Sequence, residues 1–204
     1  HHALRRSARL ARRRPARWVA APAYRAIVEA ELALHRAVDR RLAAASPDVS
    51  DVTVVVKTFE RPATLRRFLA SVRRLEPEVR VVVVDDSRAP SRPPGVETVV
   101  LPYHSGVSAG RNAGLSRVET PYFVLCDDDF VFFHRTRLAA PLAVLRTHPE
   151  VDIVGGQVFD LPVYRTVDYR ERRALGADPA EPPPRGALAG CPRREVIRNF
   201  FVGR

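Results

Sequence analysis

Short runs of consecutive apolar residues alternate along most of this chain with segments whose apolar positions recur at helical spacing. Residues 52–56 (VTVVV), 79–86 (VRVVVVDD), 96–103 (VETVVLPY) and 122–126 (YFVLC) are the clearest runs. They are rich in β-branched side chains, which suits strands buried on both faces. Between them, residues 62–74 (PATLRRFLASVRR) read as a helix with Pro62 in its first turn. Residues 107–118 and 135–147 read as two more helices, and residues 151–160 (VDIVGGQVFD) as a further strand. Strands alternating with helices predict an α/β fold built on a mostly parallel sheet flanked by helices. Ahead of this pattern, Tyr24, Ile27, Val28, Leu32, Leu34, Val38 and Leu42 recur near helical spacing, predicting a helix over 22–45 that ends at Ser46-Pro47-Asp48. The expected organisation is therefore a basic arm and helix over 1–48 and one domain over 49–204. A Pro-rich stretch at 177–190 (ADPAEPPPRGALAG) reads as a loop or insertion.

Composition narrows the classes. With 204 residues, 46% hydrophobic and 28% charged, the chain can bury a core and is not of disordered type. Two cysteines, Cys126 and Cys191, are too few for a disulfide framework or a structural zinc site. No stretch approaches the roughly 18 consecutive apolar residues of a membrane span. The charge is uneven. Of the net +11, residues 1–45 hold eleven arginines against Glu29, Glu31 and Asp39, a balance of +8. Residues 3–17 (ALRRSARLARRRPAR) contain no acid at all. Lys57 is the one lysine among 34 basic residues, a bias that points to a GC-rich genome and reduces the weight of arginine counts. The arm suits peripheral docking on an anionic membrane, nucleic-acid binding, or a solvated tail.

Four segments carry candidate chemistry. Asp127-Asp128-Asp129 lies between two apolar runs, YFVLC and FVFF. Such a cluster is either a solvated turn or a ligand site, and its place at a strand's carboxyl end favours the second. In extended chain Asp127 and Asp129 share a side, which offers two hard oxygen donors to Mg²⁺ or Mn²⁺. A second strand ends in Asp85-Asp86-Ser87, where a carboxylate can accept from a ribose or base. After the first strand comes Lys57-Thr58-Phe59-Glu60-Arg61, in which Phe59 can stack on a base and Thr58 can hydrogen-bond one. Residues 108–114 (SAGRNAG) open a helix with small residues, and Arg111 adds a planar fork suited to phosphate. This is neither a GxGxxG nor a Walker A loop. The histidines are scattered without metal-ligand spacing, and His104 reads as a loop residue. Cys126 reads as a buried strand residue rather than a nucleophile.

Taken in order, KTFERP, VVVVDDS, SAGRNAGLSRVETPYFVLCDDDFVF, VDIVGGQV and Asn199-Phe200-Phe201 resemble the nucleotide-sugar-dependent glycosyltransferases of GT-A fold. The segments look like family 2 enzymes, and closest to the ganglioside-type N-acetylgalactosaminyltransferases. The resemblance spans about residues 52–204. It implies a GT-A (Rossmann-like) fold and a metal-dependent transfer, with inversion, of a sugar from a nucleoside-diphosphate sugar, UDP above others, to an acceptor hydroxyl. It implies that Thr58 and Phe59 contact uracil and ribose, that Asp85 or Asp86 bonds the nucleoside, and that Arg111 lies near the nucleotide. Asp127 and Asp129 match the first and last acids of a DxD motif that holds Mn²⁺ or Mg²⁺ against the diphosphate. The catalytic base of such enzymes lies well downstream of DxD, after the NFF element. Asp160, Asp168 and Glu171 do not stand in its context, so the base is expected beyond Arg204. The domain is thus expected to be truncated at its carboxyl end, the donor half present and the acceptor half incomplete. The expected partners are a nucleotide-sugar donor, a glycan or lipid-linked acceptor and an anionic membrane surface, with no specific nucleic acid. The expected location is cytoplasmic, peripheral to the membrane. Two rivals stand beside this reading: a nucleotidyltransferase that makes a nucleotide sugar, and a non-catalytic basic nucleic-acid-binding module. The first usually begins with a Gly-rich loop that KTFERP lacks. The second would not need two acidic strand ends in one crevice.

Overall fold

A computed structural model describes residues 14–42, 49–156, 158–160, 165–166 and 200–204. In chain order the elements are α1 (Arg14–Leu42), β1 (Val52–Thr58), α2 (Pro62–Leu75), β2 (Arg80–Asp85), β3 (Glu97–Val100), α3 (Val107–Leu115), β4 (Tyr122–Asp127), α4 (Ala139–Thr147), β5 (Ile153–Gly155), β6 (Phe159–Asp160), β7 (Arg165–Thr166) and β8 (Phe201–Gly203). Six strands form one sheet in the order β3-β2-β1-β4-β8-β5, and β6 and β7 pair apart from it. The pairings β2–β3, β1–β2 and β1–β4 are parallel, whereas β8 runs antiparallel to both β4 and β5. From β1 the chain steps outward through β2 and β3, then returns to place β4 on the other side of β1. That reversal is a topological switch point, and it opens a crevice at the carboxyl ends of β1 and β4.

The runs of valine explain the centre of the sheet. Val54, Val55 and Val56 on β1 and Val82, Val83 and Val84 on β2 are fully buried, as strands covered on both faces require. On one face α2 buries Leu65, Phe68, Leu69 and Val72. On the other, α3 lies so close that a Cβ at Gly114 would stand 2.5 Å from Val55 Cγ1 and 3.0 Å from Val84 Cγ2. Neither valine can move without disturbing a central strand. Gly114→Ala is therefore expected to cost about 1–3 kcal/mol in urea unfolding. An unchanged midpoint would show that α3 lifts from the sheet at no cost.

α1 is anchored to this body. Leu32 and Asp39 on its inner side are buried. Asp39 Oδ2 pairs with Arg74 Nη2 at 2.7 Å, and Asp39 Oδ1 accepts the His134 amide at 2.7 Å. The His35 ring meets Phe133 edge-on at 5.1 Å. No helix among the described residues is long and apolar enough to cross a membrane.

The sheet and its alternation agree with the sequence reading, and several boundaries differ. α1 begins at Arg14, eight residues before the expected start, and carries Pro22 inside it. The expected helix over 107–118 stops at Leu115, and that over 135–147 begins only at Ala139. The strand expected over 96–103 ends at Val100; Leu101 still donates across to the Asp85 carbonyl of β2, and the chain turns just beyond it. The strand expected over 151–160 is interrupted: β5 joins the large sheet and β6 pairs with β7. Phe201–Gly203, which carried no strand signal of its own, forms β8 between β4 and β5. Arg204 follows it and fastens the strand to the end of α4. Its amide donates to the Asp152 carbonyl at 3.2 Å, and its Nη2 donates to the carbonyls of Leu145, His148 and Val151. The expected helix end at 46–48 and the loop at 177–190 lie outside the described residues.

Candidate functional site

Parallel register decides which side chains meet at the switch point. Lys57 stands opposite Asp127 across β1 and β4, and Thr58 stands opposite Asp85 across β1 and β2. The acid triplet begins on the last residue of β4 and turns at once, with Phe130 N donating to the Asp127 carbonyl. The turn separates the three carboxylates. Side-chain exposure is 33% at Asp127, 0% at Asp128 and 52% at Asp129.

Each acid has its own partners. Asp127 Oδ1 pairs with Arg111 Nη2 at 2.9 Å, so α3 delivers a guanidinium to the first acid. Asp128 Oδ2 accepts the Thr58 hydroxyl at 2.6 Å and Asp128 Oδ1 pairs with Arg61 Nη2 at 2.5 Å. Asp129 Oδ2 lies 3.3 Å from Arg61 Nη1. The Thr58 hydroxyl, expected to face a nucleoside, is buried and committed to Asp128. It holds the triplet in place. Burial pushes the Asp128 carboxyl above its ordinary range; Thr58 and Arg61 oppose that rise, and Asp129 and Asp127 add to it.

The second acidic strand end divides in the same way. Asp85 is buried, and its two oxygens accept the amides of Ser87 at 2.9 Å and Ser91 at 2.7 Å, which closes the loop after β2. Asp86 Oδ1 pairs with Lys57 Nζ at 2.7 Å, and Asp86 Oδ2 accepts the amide of Gly106, the residue that precedes α3. Burial alone would raise the Asp86 carboxyl, but Lys57 and the Gly106 amide outweigh it and hold it below the usual range. Gly110 of α3 completes the packing: a Cβ there would stand 2.5 Å from Lys57 Cγ.

The two shifted acids act on stability with opposite signs. Asp86, depressed in the folded state, contributes stability above its unfolded pKa, and that stability is lost as pH falls through the lower folded value. Asp128, raised in the folded state, loses its contribution as pH rises through the higher folded value. Asp86→Asn is therefore expected to flatten the acid side of the stability–pH curve, and Asp128→Asn the side above the ordinary carboxylate range. Urea midpoints measured across pH check both; an unaltered acid limb in Asp86→Asn would remove the Lys57–Asp86 pair as its source.

Three aromatic rings stand beside these acids. Phe59 lies 5.7 Å from Tyr103 and 5.2 Å from His104, centroid to centroid. Lys57 Nζ sits 5.0 Å over the Phe59 ring and the Arg88 guanidinium 4.5 Å over Tyr103. Two non-glycine residues here, Glu60 (φ 54°) and His104 (φ 61°), adopt left-handed backbone. Such strain gathers at functional sites. Both are tied down, Glu60 N to Ser87 Oγ at 2.6 Å and His104 N to the Asp86 carbonyl at 3.0 Å. Phe59 was legible in the sequence. Tyr103, His104, Arg61 and Arg88 were not, because they reach the crevice through loops that sequence periodicity does not mark. Cys126 is buried beneath the site with its thiol pushed upward by burial, an inert strand residue.

Of the three downstream acids singled out from the sequence, one lies among the described residues. Asp160 lies on β6 opposite Arg165, in the two-stranded sheet apart from the large one. Asp168 and Glu171 lie outside the described residues. Arg204, past which the base is expected, is occupied with the carbonyls around the end of α4 and pairs with none of the triplet acids.

The chain is an open α/β sheet with acids, guanidiniums and rings near its switch point, the place where ligands of such sheets bind. The sequence profile described as "Glycosyl transferase family 2" matches residues 53–185, and the chain belongs to that family. It is 44% identical over 168 residues to Beta-1,4 N-acetylgalactosaminyltransferase 1 of Rattus norvegicus, covering 75% of this chain and 31% of that protein. The Homo sapiens protein of the same name is 38% identical over 168 residues, with the same coverage. The chain thus spans about a third of the length of these relatives. Among solved structures it resembles S. aureus TarS 1-349, with a TM-score of 0.52 and 18% identity over 75% of this chain and 46% of that one. That likeness supports the GT-A fold.

Proposed function

We propose that this chain forms the donor-binding part of a metal-dependent, inverting glycosyltransferase, one that moves a sugar from a UDP-sugar to a hydroxyl of a glycan or lipid-linked acceptor. The observation that carries the proposal is the division of the acid triplet: Asp128 is locked inward, while Asp127 and Asp129 stay partly exposed at the carboxyl end of β4. Family membership supports sugar transfer as the reaction class.

The donor set fits Mn²⁺ or Mg²⁺. Asp127 and Asp129 offer hard oxygens, and such ions are commonly held by one or two carboxylates together with substrate phosphates and water. Among the described residues no group of three His, Cys, Asp or Glu side chains is placed to hold an ion. Two carboxylates leave the rest of such an ion's coordination to substrate phosphates and water. When bound, the ion supplies positive charge to the departing diphosphate.

The chain's own residues do the rest. Arg111 and Arg61 border the carboxylates that would receive the ion and bring positive charge to a diphosphate placed there. Phe59 and Tyr103 offer ring faces to the base. Asp86, steadied by Lys57 and Gly106, is the carboxylate offered to the nucleoside, while Asp85 serves the loop beneath it. The acceptor oxygen attacks the anomeric carbon opposite the departing diphosphate and gives its proton to a base.

Calorimetric titration with UDP tests the proposal. UDP is expected to bind with Mn²⁺ present and to lose most of its affinity in EDTA. Mn²⁺ alone is expected to bind weakly. Tyr103→Ala is expected to weaken UDP about tenfold through lost stacking. UDP binding indifferent to EDTA, or none with Mn²⁺ present, would overturn the reading.

A further inference from the structure

Arg61 makes two contacts that differ in kind. Its Nη2 pairs with Asp128 Oδ1 and its Nη1 lies 3.3 Å from Asp129 Oδ2, so one guanidinium spans the inward and the outward carboxylate of the triplet. The backbone beneath it is fixed. Glu60 N donates to Ser87 Oγ at 2.6 Å, and Arg88 N donates to Glu60 Oε1 at 2.9 Å. Pro62 starts α2 straight after, where Leu65 N donates to the Arg61 carbonyl at 3.1 Å. The Arg61 and Asp129 side chains are half exposed, whereas Asp128 is buried. Breaking a pair with a buried carboxylate is costly, but a half-exposed pair at 3.3 Å exchanges readily. Arg61 is therefore anchored on Asp128 and loosely held on Asp129.

That difference bears on the cation assigned to Asp127 and Asp129 above, and the inference rests on that assignment. Asp129 cannot give one oxygen fully to both a divalent ion and Arg61, and a guanidinium left beside the ion repels it. A diphosphate removes the conflict, because a guanidinium takes phosphate oxygens as it takes carboxylate oxygens. The anchor on Asp128 keeps the released group at the site in the meantime. We propose that Arg61 is a positioning residue that makes cation binding conditional on nucleotide. Without nucleotide it occupies Asp129 and opposes a lone divalent cation. With nucleotide it turns to the diphosphate and leaves the carboxylate to the ion. Cation and nucleotide are thereby coupled through one side chain, each raising the other's affinity by the same factor.

The test titrates Mn²⁺ into the whole chain without nucleotide, following free Mn²⁺ by its electron paramagnetic resonance signal, and then titrates UDP with and without Mn²⁺. Arg61→Gln is expected to bind Mn²⁺ alone about tenfold more tightly than the wild type, because a positive charge leaves the ion's surroundings. It is expected to bind UDP less tightly in Mn²⁺, so the coupling between the two ligands shrinks. An arginine that merely holds the triplet together would give the opposite sign, since disturbing the acids loosens the cation. Arg61→Lys covers the case in which Arg61→Gln does not fold. Its ammonium can pair with Asp128 but does not span two acids as the planar fork does, so Mn²⁺ alone should again bind more tightly than in the wild type, by less than in Arg61→Gln. Unchanged or weaker binding of Mn²⁺ alone, in variants whose circular dichroism matches the wild type, would overturn the proposal. So would wild-type coupling retained in them. UDP binding by the wild type that ignores EDTA would sink the donor reading and this proposal together, whereas Mn²⁺-dependent UDP binding with no gain in the variants would sink this proposal alone.

Discussion

Asp127→Asn combined with Asp129→Asn is expected to lower the affinity for UDP in Mn²⁺ by about 100-fold or more, with little change in stability. The reasoning starts from exposure. Asp127 and Asp129 keep 33% and 52% of their side-chain surface, and each meets a guanidinium that is itself partly exposed. Pairs of that kind contribute about 0–1 kcal/mol to folding, so amides in their place leave the fold intact. Their effect on a cation is different. Loss of even an indirect partner of a metal site commonly costs about 10–100-fold in affinity, and direct ligands cost at least that. Asp128→Asn supplies the contrast. Its carboxyl faces Thr58 and Arg61 inside the protein, so its removal should alter the pH dependence of stability and leave Mn²⁺ sensitivity in place. Wild-type UDP affinity in the double variant, with the EDTA response retained, would show that the triplet caps a turn and holds no cation.

The contrast between the three acids also shows what the sequence could reveal. That a strand ends in the triplet follows from YFVLC running into DDD, whereas the turn that begins straight after Asp127 is not marked by that pattern. The partners do not follow. Arg61 pairs with Asp128 and with Asp129, the latter 68 positions further along the chain, and nothing local to either segment signals the pairing. Asp85 and Asp86 are adjacent identical residues, and only the loop conformation after β2 turns one to the Ser87 and Ser91 amides and the other to Lys57. The ring cluster was half legible, because Phe59 follows a recognisable strand whereas Tyr103 and His104 lie where the chain turns out of β3. β8 was hidden for another reason. Three residues carry no period, and their strand conformation comes from pairing with β4 and β5, a long-range choice. Its neighbour explains one glycine in passing: Gly156 donates its amide to the Phe200 carbonyl at 3.0 Å, and a Cβ there would collide with the Phe200 ring.

Phe132→Ala is expected to destabilise the protein by about 3–5 kcal/mol, the usual cost of emptying a fully buried aromatic position. Phe132 is the second phenylalanine of the DDDFVF run, and its ring is buried between Phe68 of α2 and Phe200, edge-on to each at 5.8 Å. Its backbone is held as firmly. The Phe132 amide donates to Ser71 Oγ at 2.9 Å, and its carbonyl accepts from Arg74 Nη2 at 3.1 Å. The segment after the acids is thereby pinned to α2, and through Arg74 and Asp39 to α1. Phe132→Leu keeps most of the volume and all of the backbone bonds, so about 1.5 kcal/mol or less should be lost. Urea unfolding of the two variants separates the contributions. Comparable losses in both would place the stabilisation in the edge-on ring contacts, which leucine cannot make, rather than in filled volume. A small loss in Phe132→Ala would mean that the phenylalanines around it close the gap, and that the motif's aromatic residue does not anchor the acids from behind.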